Sequence, residues 1–246
     1  MSSGSLYSTF KNPNELCFAL ALDIQKYLDE KNDEGSSGTI ALSGGNTPKL
    51  LFEQLGSSTF REAINWNSAH LFWVDEKMVP VSHPDSNFGN AQNLFLNYIP
   101  INRKNIHKIR GEGEPIPEVN RYAEEIKKIT HCPEGALPSF DWILLGVGMD
   151  GHVASIYPGV EFEYAKENIC GVIRTPSQKS KIITLTLDTI LNASRISFIV
   201  TGADKAEIVD MILSNKKASE NMPAAVISRN AASVEWLLDE RAAGLL

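Results

Sequence analysis

The chain has 246 residues, 43% of them hydrophobic and 22% charged, with a formal charge of −7. This is ample apolar material for a core, and the acidic balance argues against non-specific binding to nucleic acid or to an anionic membrane surface, both of which need basic surface. Cys17, Cys132 and Cys170 are odd in number and far apart, so they suit neither a disulfide framework nor a paired-cysteine metal site and point to a reducing compartment.

In chain order, Glu15–Lys31 places Leu16, Leu20, Ile24, Tyr27 and Leu28 on one helical face. "DEGSSG" (Asp33–Gly38) is a turn, and "TIALS" (Thr39–Ser43) is a strand that breaks at Gly44-Gly45 before a helix from about Thr47. Ala69–Glu76 reads as a buried strand; Ser86–Leu96 and Pro117–Ile129 read as helices, the second with proline near its first turn. "FDWILLGVG" is another buried strand, and "KIITLTL", "RISFIVTG" and "PAAVIS" supply three more, with helices from about Asp204 and Ala231 after the last two. Continuous apolar strands alternating with amphipathic helices predict an α/β fold, a mostly parallel sheet covered by helices on both faces. There is no internal repeat and no linker, so one domain is expected over residues 1–246. No apolar run approaches the ~20 residues of a membrane span, and the first residues lack a charged-then-apolar leader; a soluble, cytoplasmic protein is the expectation.

In a sheet of this kind ligands bind beyond the carboxyl ends of the strands, so the residues after each strand carry the information. After the first comes "SGGNTPK", where Gly44 and Gly45 allow close backbone approach and Thr47-Pro48 opens a helix. Unpaired N–H groups and the helix dipole there suit a phosphate, with Ser43, Asn46 and Thr47 as side-chain donors. The stretch is neither the Walker pattern nor GxGxxG, and by itself it fits an ordinary strand-to-helix turn equally well. Asp75, Glu76 and Lys77 follow "LFWV" on the same edge.

After "WILL" three glycines loosen the chain, Gly146, Gly148 and Gly151, the last separating Asp150 from His152. A histidine near its reference pKa can take and return a proton at neutral pH, and Asp150 stands where it can orient one; the spacing alone leaves a structural histidine as an equal alternative. His70, His83, His107 and His131 read as structural. Lys205, in "VTGADKAE", falls in a first helical turn, where the dipole opposes a cation by ~0.3–1 kcal/mol; an anion opposite would account for it, although an exposed lysine fits too. No histidines recur at i, i+4 and His131-Cys132 stand without companions, so no metal site is expected. Ser43 lacks the setting of a nucleophile elbow.

Taken together, "LSGGNTP", "FWVDEKMVP", "HPDSNFG", "LLGVGMDGHVASIYPG", "ITLTL" and "VTGADKAE" resemble the 6-phosphogluconolactonases, in the superfamily that also holds glucosamine-6-phosphate deaminases. The resemblance runs in order from Thr39 to about Ser228. It implies a Rossmann-like three-layer sandwich and hydrolysis of 6-phospho-D-glucono-1,5-lactone to 6-phosphogluconate. It implies no metal or organic cofactor, and as partner only a small sugar-phosphate lactone, in a monomer or small homo-oligomer. His152 would act as general base with Asp150 or Asp75 as orienting carboxylate, and Lys205 would serve the phosphate beside Ser43–Thr47. Lys77 or N–H groups near Gly148 would face the oxyanion. Deaminases follow DGH with a stretch like IAFNEP, whose glutamate assists ring opening; here Tyr157 occupies that place, and Ser155 with "YPG" resembles the lactonase form. The alternatives are a deaminase or isomerase, or a non-catalytic sugar-phosphate sensor. Two departures stand out: Lys77 replaces a common arginine, losing the planar two-point grip, and Ile182 stands where an arginine is frequent, with Lys181 beside it and Lys179 near.

Overall fold

The computed structural model describes residues 7–174 and 180–246; Lys179 lies outside them. The chain opens with β1 (Tyr7–Phe10) and the long α1 (Pro13–Asp33), which buries Leu16, Leu20, Ile24 and Leu28 with Cys17 and leaves Tyr27 half-buried. Asn12 caps α1 by accepting the Glu15 N–H at 3.0 Å, and Pro13 sits in the first turn, where its missing N–H is not needed. β2 (Gly38–Leu42), α2 (Asn46–Leu55), β3 (Ala69–Trp73), β4 (Asp75–Lys77), α3 (Asn87–Ala91), β5 (Ile106–His107) and α4 (Pro115–Ile129) follow. Then come β6 (Trp142–Leu145), β7 (Tyr164–Lys166), β8 (Cys170–Ile173), β9 (Ile182–Leu185), α5 (Leu187–Leu191), β10 (Ile196–Val200), α6 (Ala206–Leu213), α7 (Pro223–Asn230) and β11 (Val234–Asp239).

Seven strands form one sheet in the order β1-β11-β10-β6-β2-β3-β5, with every neighbouring pair parallel. β2, β6 and β10 are buried from end to end, as strands covered by helices on both faces must be. The predicted three-layer α/β architecture is therefore the observed one. From β2 the chain steps outward through β3 to β5, returns to the other side of β2 at β6, and steps outward through β10 to β11. The direction of winding reverses between β2 and β6, and a crevice opens at the carboxyl ends of strands at such a reversal.

Four strands form a second, antiparallel sheet, β4-β9-β8-β7. The chain crosses between sheets at Val74, which donates its N–H to Leu42 O at 2.9 Å and accepts the Leu185 N–H at 2.7 Å. Ala69–Glu76 is thus two strands rather than one, and "KIITLTL" contributes β9 to the small sheet. Two expectations near the C-terminus are overturned. "PAAVIS" forms α7, because Pro223 suits a first turn and Ala224 and Ala225 are strong helix formers. The helix expected from Ala231 is replaced by β11, which gains ladder partners on both sides, β10 and β1; tertiary pairing overrides local propensity there. No described helix is long and apolar enough to cross a membrane, and among the described residues no cluster of histidine, cysteine and carboxylate could hold a metal ion.

Candidate active site

The crevice at the reversal is a cleft of about 810 Å³. Of the residues singled out at the strand ends, Ser43 to Thr47 after β2, Asp75 and Lys77 in β4, Gly148, Asp150 and His152 after β6, and Lys205 after β10 line it, whereas Glu76 and Gly151 do not.

After β6 the chain makes a tight glycine turn. Gly148 donates its N–H to His152 O at 2.9 Å, and Gly151, at φ 79°, donates to Gly148 O at 3.0 Å. The turn folds the His152 ring back over Gly148, where an added Cβ would stand 2.0 Å from Nδ1. His152 Nδ1 meets Asp150 Oδ1 at 2.5 Å, and the His152 N–H donates to the same oxygen at 3.2 Å. A carboxylate only accepts, so Nδ1 carries a proton, and in the neutral ring the lone pair is on Nε2. Partial burial acts to raise the Asp150 carboxyl, but hydrogen bonds from the His152 N–H and ring outweigh it and hold the group below the usual range. The imidazole packs against Tyr157, ring centroids 4.4 Å apart, and its side chain remains 29% exposed. It is a cleft-wall histidine, not a core one.

Asp75 is engaged elsewhere. Its carboxylate accepts the Ser155 hydroxyl at 2.6 Å and the Asn87 amide at 3.2 Å. Burial pushes this carboxyl up, opposed by the Ser155 hydroxyl and by the charges of His152 and Lys77. Of the two carboxylates named from the sequence, Asp150 is the one hydrogen-bonded to the imidazole.

The loop after β2 makes the other wall. Gly45 takes φ 105°, a conformation side chains rarely adopt, and caps α2 without a side-chain hydrogen bond. Gly44 passes so close to Asn87 that a Cβ would fall 1.8 Å from Asn87 Oδ1. Ser43 departs from expectation, because its hydroxyl donates to Leu144 O at 2.7 Å and ties the end of β2 to β6 instead of facing a ligand. Thr47 Oγ1 shares a hydrogen bond with Thr201 Oγ1 at 2.8 Å, joining this loop to the one after β10. Asn46 is exposed at the helix start. Lys205 stands at the N-terminus of α6, with Asp204 the nearest carboxylate at 4.0 Å. The turn before it is anchored by the buried Asp239, which accepts the Gly202 N–H at 3.0 Å.

One expectation is overturned, and two lysines are found already paired. The Gly148 N–H is spent on His152 O, so it is not an oxyanion donor. Lys77 lines the cleft already paired with Asp85 at 3.0 Å. Lys181 does not stand in for the arginine missing at Ile182: it pairs with Glu163 at 2.6 Å, while Ile182 itself lines the cleft. Asn87 and Thr201 were not foreseen. For Asn87 the available signal was Ser86 before it, which caps α3 by accepting the Gly89 N–H at 2.9 Å.

The family described as glucosamine-6-phosphate isomerases/6-phosphogluconolactonase matches residues 11–236 of the chain. A Haemophilus influenzae protein named 6-phosphogluconolactonase is 42% identical over 207 residues, 84% of this chain and 87% of that one. The crystal structure of the devB protein superposes with a TM-score of 0.87 at 38% identity, covering 97% and 98% of the two chains. The 6-phosphogluconolactonase from Trypanosoma cruzi superposes with a TM-score of 0.82 at 25% identity, over 100% and 98%.

Proposed function

The chain belongs to the glucosamine-6-phosphate isomerase/6-phosphogluconolactonase family, and from that premise we propose that it hydrolyses 6-phospho-D-glucono-1,5-lactone to 6-phospho-D-gluconate with His152 as general base. One observation carries the reading: Asp150 fixes the imidazole through Nδ1, and Nε2, without a hydrogen-bond partner among the described residues, is left to the cleft.

In this reading the phosphate docks on the open first turn of α2, at Gly44 to Thr47, with Lys205 supplying charge. That end of the substrate does not react; its binding energy holds the lactone carbonyl in place. Nε2 takes a proton from water as the water oxygen bonds to C1. The imidazolium, steadied by Asp150, then gives the proton to the ring oxygen as the C1–O bond breaks. Lys77 stabilises the oxyanion between these steps, sharing its charge with Asp85. Asp75, with Ser155 and Asn87 each already bonded to it, positions the sugar hydroxyls.

The family spans isomerases as well as lactonases, and Tyr157 favours the second. Its ring packs at a tilt against His152 where the sequence pattern of the deaminases places a carboxylate. The deciding test offers the purified protein the lactone and glucosamine 6-phosphate in parallel. Lactone hydrolysis well above its spontaneous rate, with no ammonia from the amino sugar, is expected; ammonia release without lactone hydrolysis would overturn the proposal. Lys205→Ala is expected to raise KM with a smaller change in kcat, and an unchanged KM would remove Lys205 from the phosphate site.

A further inference from the structure

A second hollow, of about 270 Å³, lies behind α3 and shares no residue with the active cleft; it is lined by Phe88, Arg103, Ile106, Lys108, Arg110, Arg121 and Glu125. Four of these seven are cations, in a protein of net charge −7. Arg121 and Glu125 are already spent. Arg121 binds Glu118 and Glu125 and donates to Lys108 O at 2.8 Å, while Glu125 also meets His107 Nδ1 at 2.8 Å. With Glu118 they form a fixed wall that carries two carboxylates to one guanidinium.

The other three cations are not compensated in this way. Among the described residues neither Arg103 nor Arg110 has an ion-pair partner, and Lys108 has only Glu112, at 3.9 Å on the surface. A surface contact of that length contributes little. Lys108 Nζ sits 4.9 Å above the ring of Phe88, which gives the hollow an apolar floor. A low-dielectric floor strengthens the field of the cations around it, and like charges gathered with little counter-charge repel one another until an anion joins them. Two guanidinium forks and an ammonium match the several oxygens of a tetrahedral dianion better than a single carboxylate. The volume lies below the usual range for drug-sized ligands, so the ligand is small.

We propose that this hollow is a second anion site, which takes a phosphoryl group, free or on a small monoester, through Arg103, Lys108 and Arg110. The site is independent of the reaction assigned to the cleft.

Binding is tested with inorganic phosphate, glycerol 3-phosphate and, as a carboxylate control, acetate. Each is titrated by nuclear magnetic resonance of the ligand against wild type, Arg103→Gln/Arg110→Gln and Lys205→Gln. The two positions are exposed, so the double variant is expected to keep wild-type melting and turnover. Loss of two charge-assisted contacts should weaken one phosphate-binding event by at least about tenfold in the double variant and leave it intact in Lys205→Gln. Glycerol 3-phosphate bound as well as phosphate identifies a monoester as a natural source; phosphate bound alone identifies the free ion. Acetate bound equally well overturns the phosphoryl assignment. Crystals soaked in tungstate, a heavy tetrahedral dianion, provide the location: a peak between Arg103 and Arg110 is expected. Tungstate confined to the active cleft, or a double variant that binds phosphate as wild type does, would overturn the site.

Discussion

At the scale of single residues, the chemistry proposed for the cleft rests on where one ring is held. His152 is neither entombed nor free: Asp150 fixes one nitrogen, Tyr157 supports one face, and Gly148 leaves room for the ring. Removing the imidazole in His152→Ala should lower kcat by the ~10²–10⁴-fold that general-base help contributes, with KM close to wild type. Near-normal turnover would remove the histidine from the reaction. A gentler variant separates placement from presence. In Gly148→Ala the new methyl group would collide with Nδ1 at 2.0 Å and Cε1 at 2.1 Å. Those atoms belong to a side chain that can swing aside, so the fold survives while the ring leaves its station. Turnover should fall at least about tenfold, since misplacement of about 1 Å can be costly, with a melting temperature within a few degrees of wild type. Full activity in that variant would show that the observed ring position is not the working one. Residue chemistry of this kind was partly legible: histidine beside aspartate after a buried strand announced itself. The occupied N–H of Gly148, the Lys77–Asp85 pair and the Asn87–Asp75 contact were not legible, because each depends on chain segments brought together only by the fold.

Among the elements, β4 and the start of α3 are joined by one buried carboxylate. Glu76, 1% exposed, accepts the N–H groups of Asn87 and Phe88 at 2.8 Å each, the Ser86 hydroxyl at 3.0 Å and the Lys77 N–H at 2.9 Å. It thereby sets Asn87 in the cleft and Phe88 under the second hollow. Burial nevertheless pushes its carboxyl from 4.5 up to about 7, in spite of those hydrogen bonds. Between these values the folded chain holds a proton that the unfolded chain has released, so stability falls as pH rises through the interval and levels off above it. A shift of this size corresponds to roughly 3 kcal/mol at most. The stability of wild type relative to Glu76→Gln should therefore decrease by up to that amount between pH 4.5 and pH 7.5, measured by urea unfolding; a constant difference would show that Glu76 does not titrate in this window. Legibility at this scale followed physical cause. Strands buried on both faces announce themselves by continuous apolar runs, and the helix of Glu15–Lys31 by its period. The 223–239 stretch was misread, because the β-branched Val226 and Ile227 sit in a helix started by Pro223, and β11 owes its state to strands remote in sequence.

For the whole molecule, the decisive feature is the reversal of winding between β2 and β6, which puts the glycine turn after one strand beside the helix start after the other. Alternation of strands and helices in the sequence predicts a covered parallel sheet, but not which two strands flank the reversal, nor that β4 and β9 leave for a second sheet, since strand order is decided by long-range pairing. The consequence for stability is uneven across the sheet. Ile143 lies in β6, fully buried, hydrogen-bonded into the ladder between β2 and β10. Ile106 lies in the two-residue edge strand β5, half-buried and paired on one side only. Truncating Ile143 to alanine leaves a cavity at the centre of the sheet that its neighbours cannot fill, and should cost about 2–5 kcal/mol. The same change at Ile106 removes apolar surface that water already reaches in part, and should cost about 1 kcal/mol. Urea unfolding of the two variants decides the matter: equal losses would mean that the edge is as tightly held as the centre. A larger loss at β6 would show that the cleft is built on the most resistant part of the fold, so that the Gly148–His152 turn keeps its geometry when the edges fray.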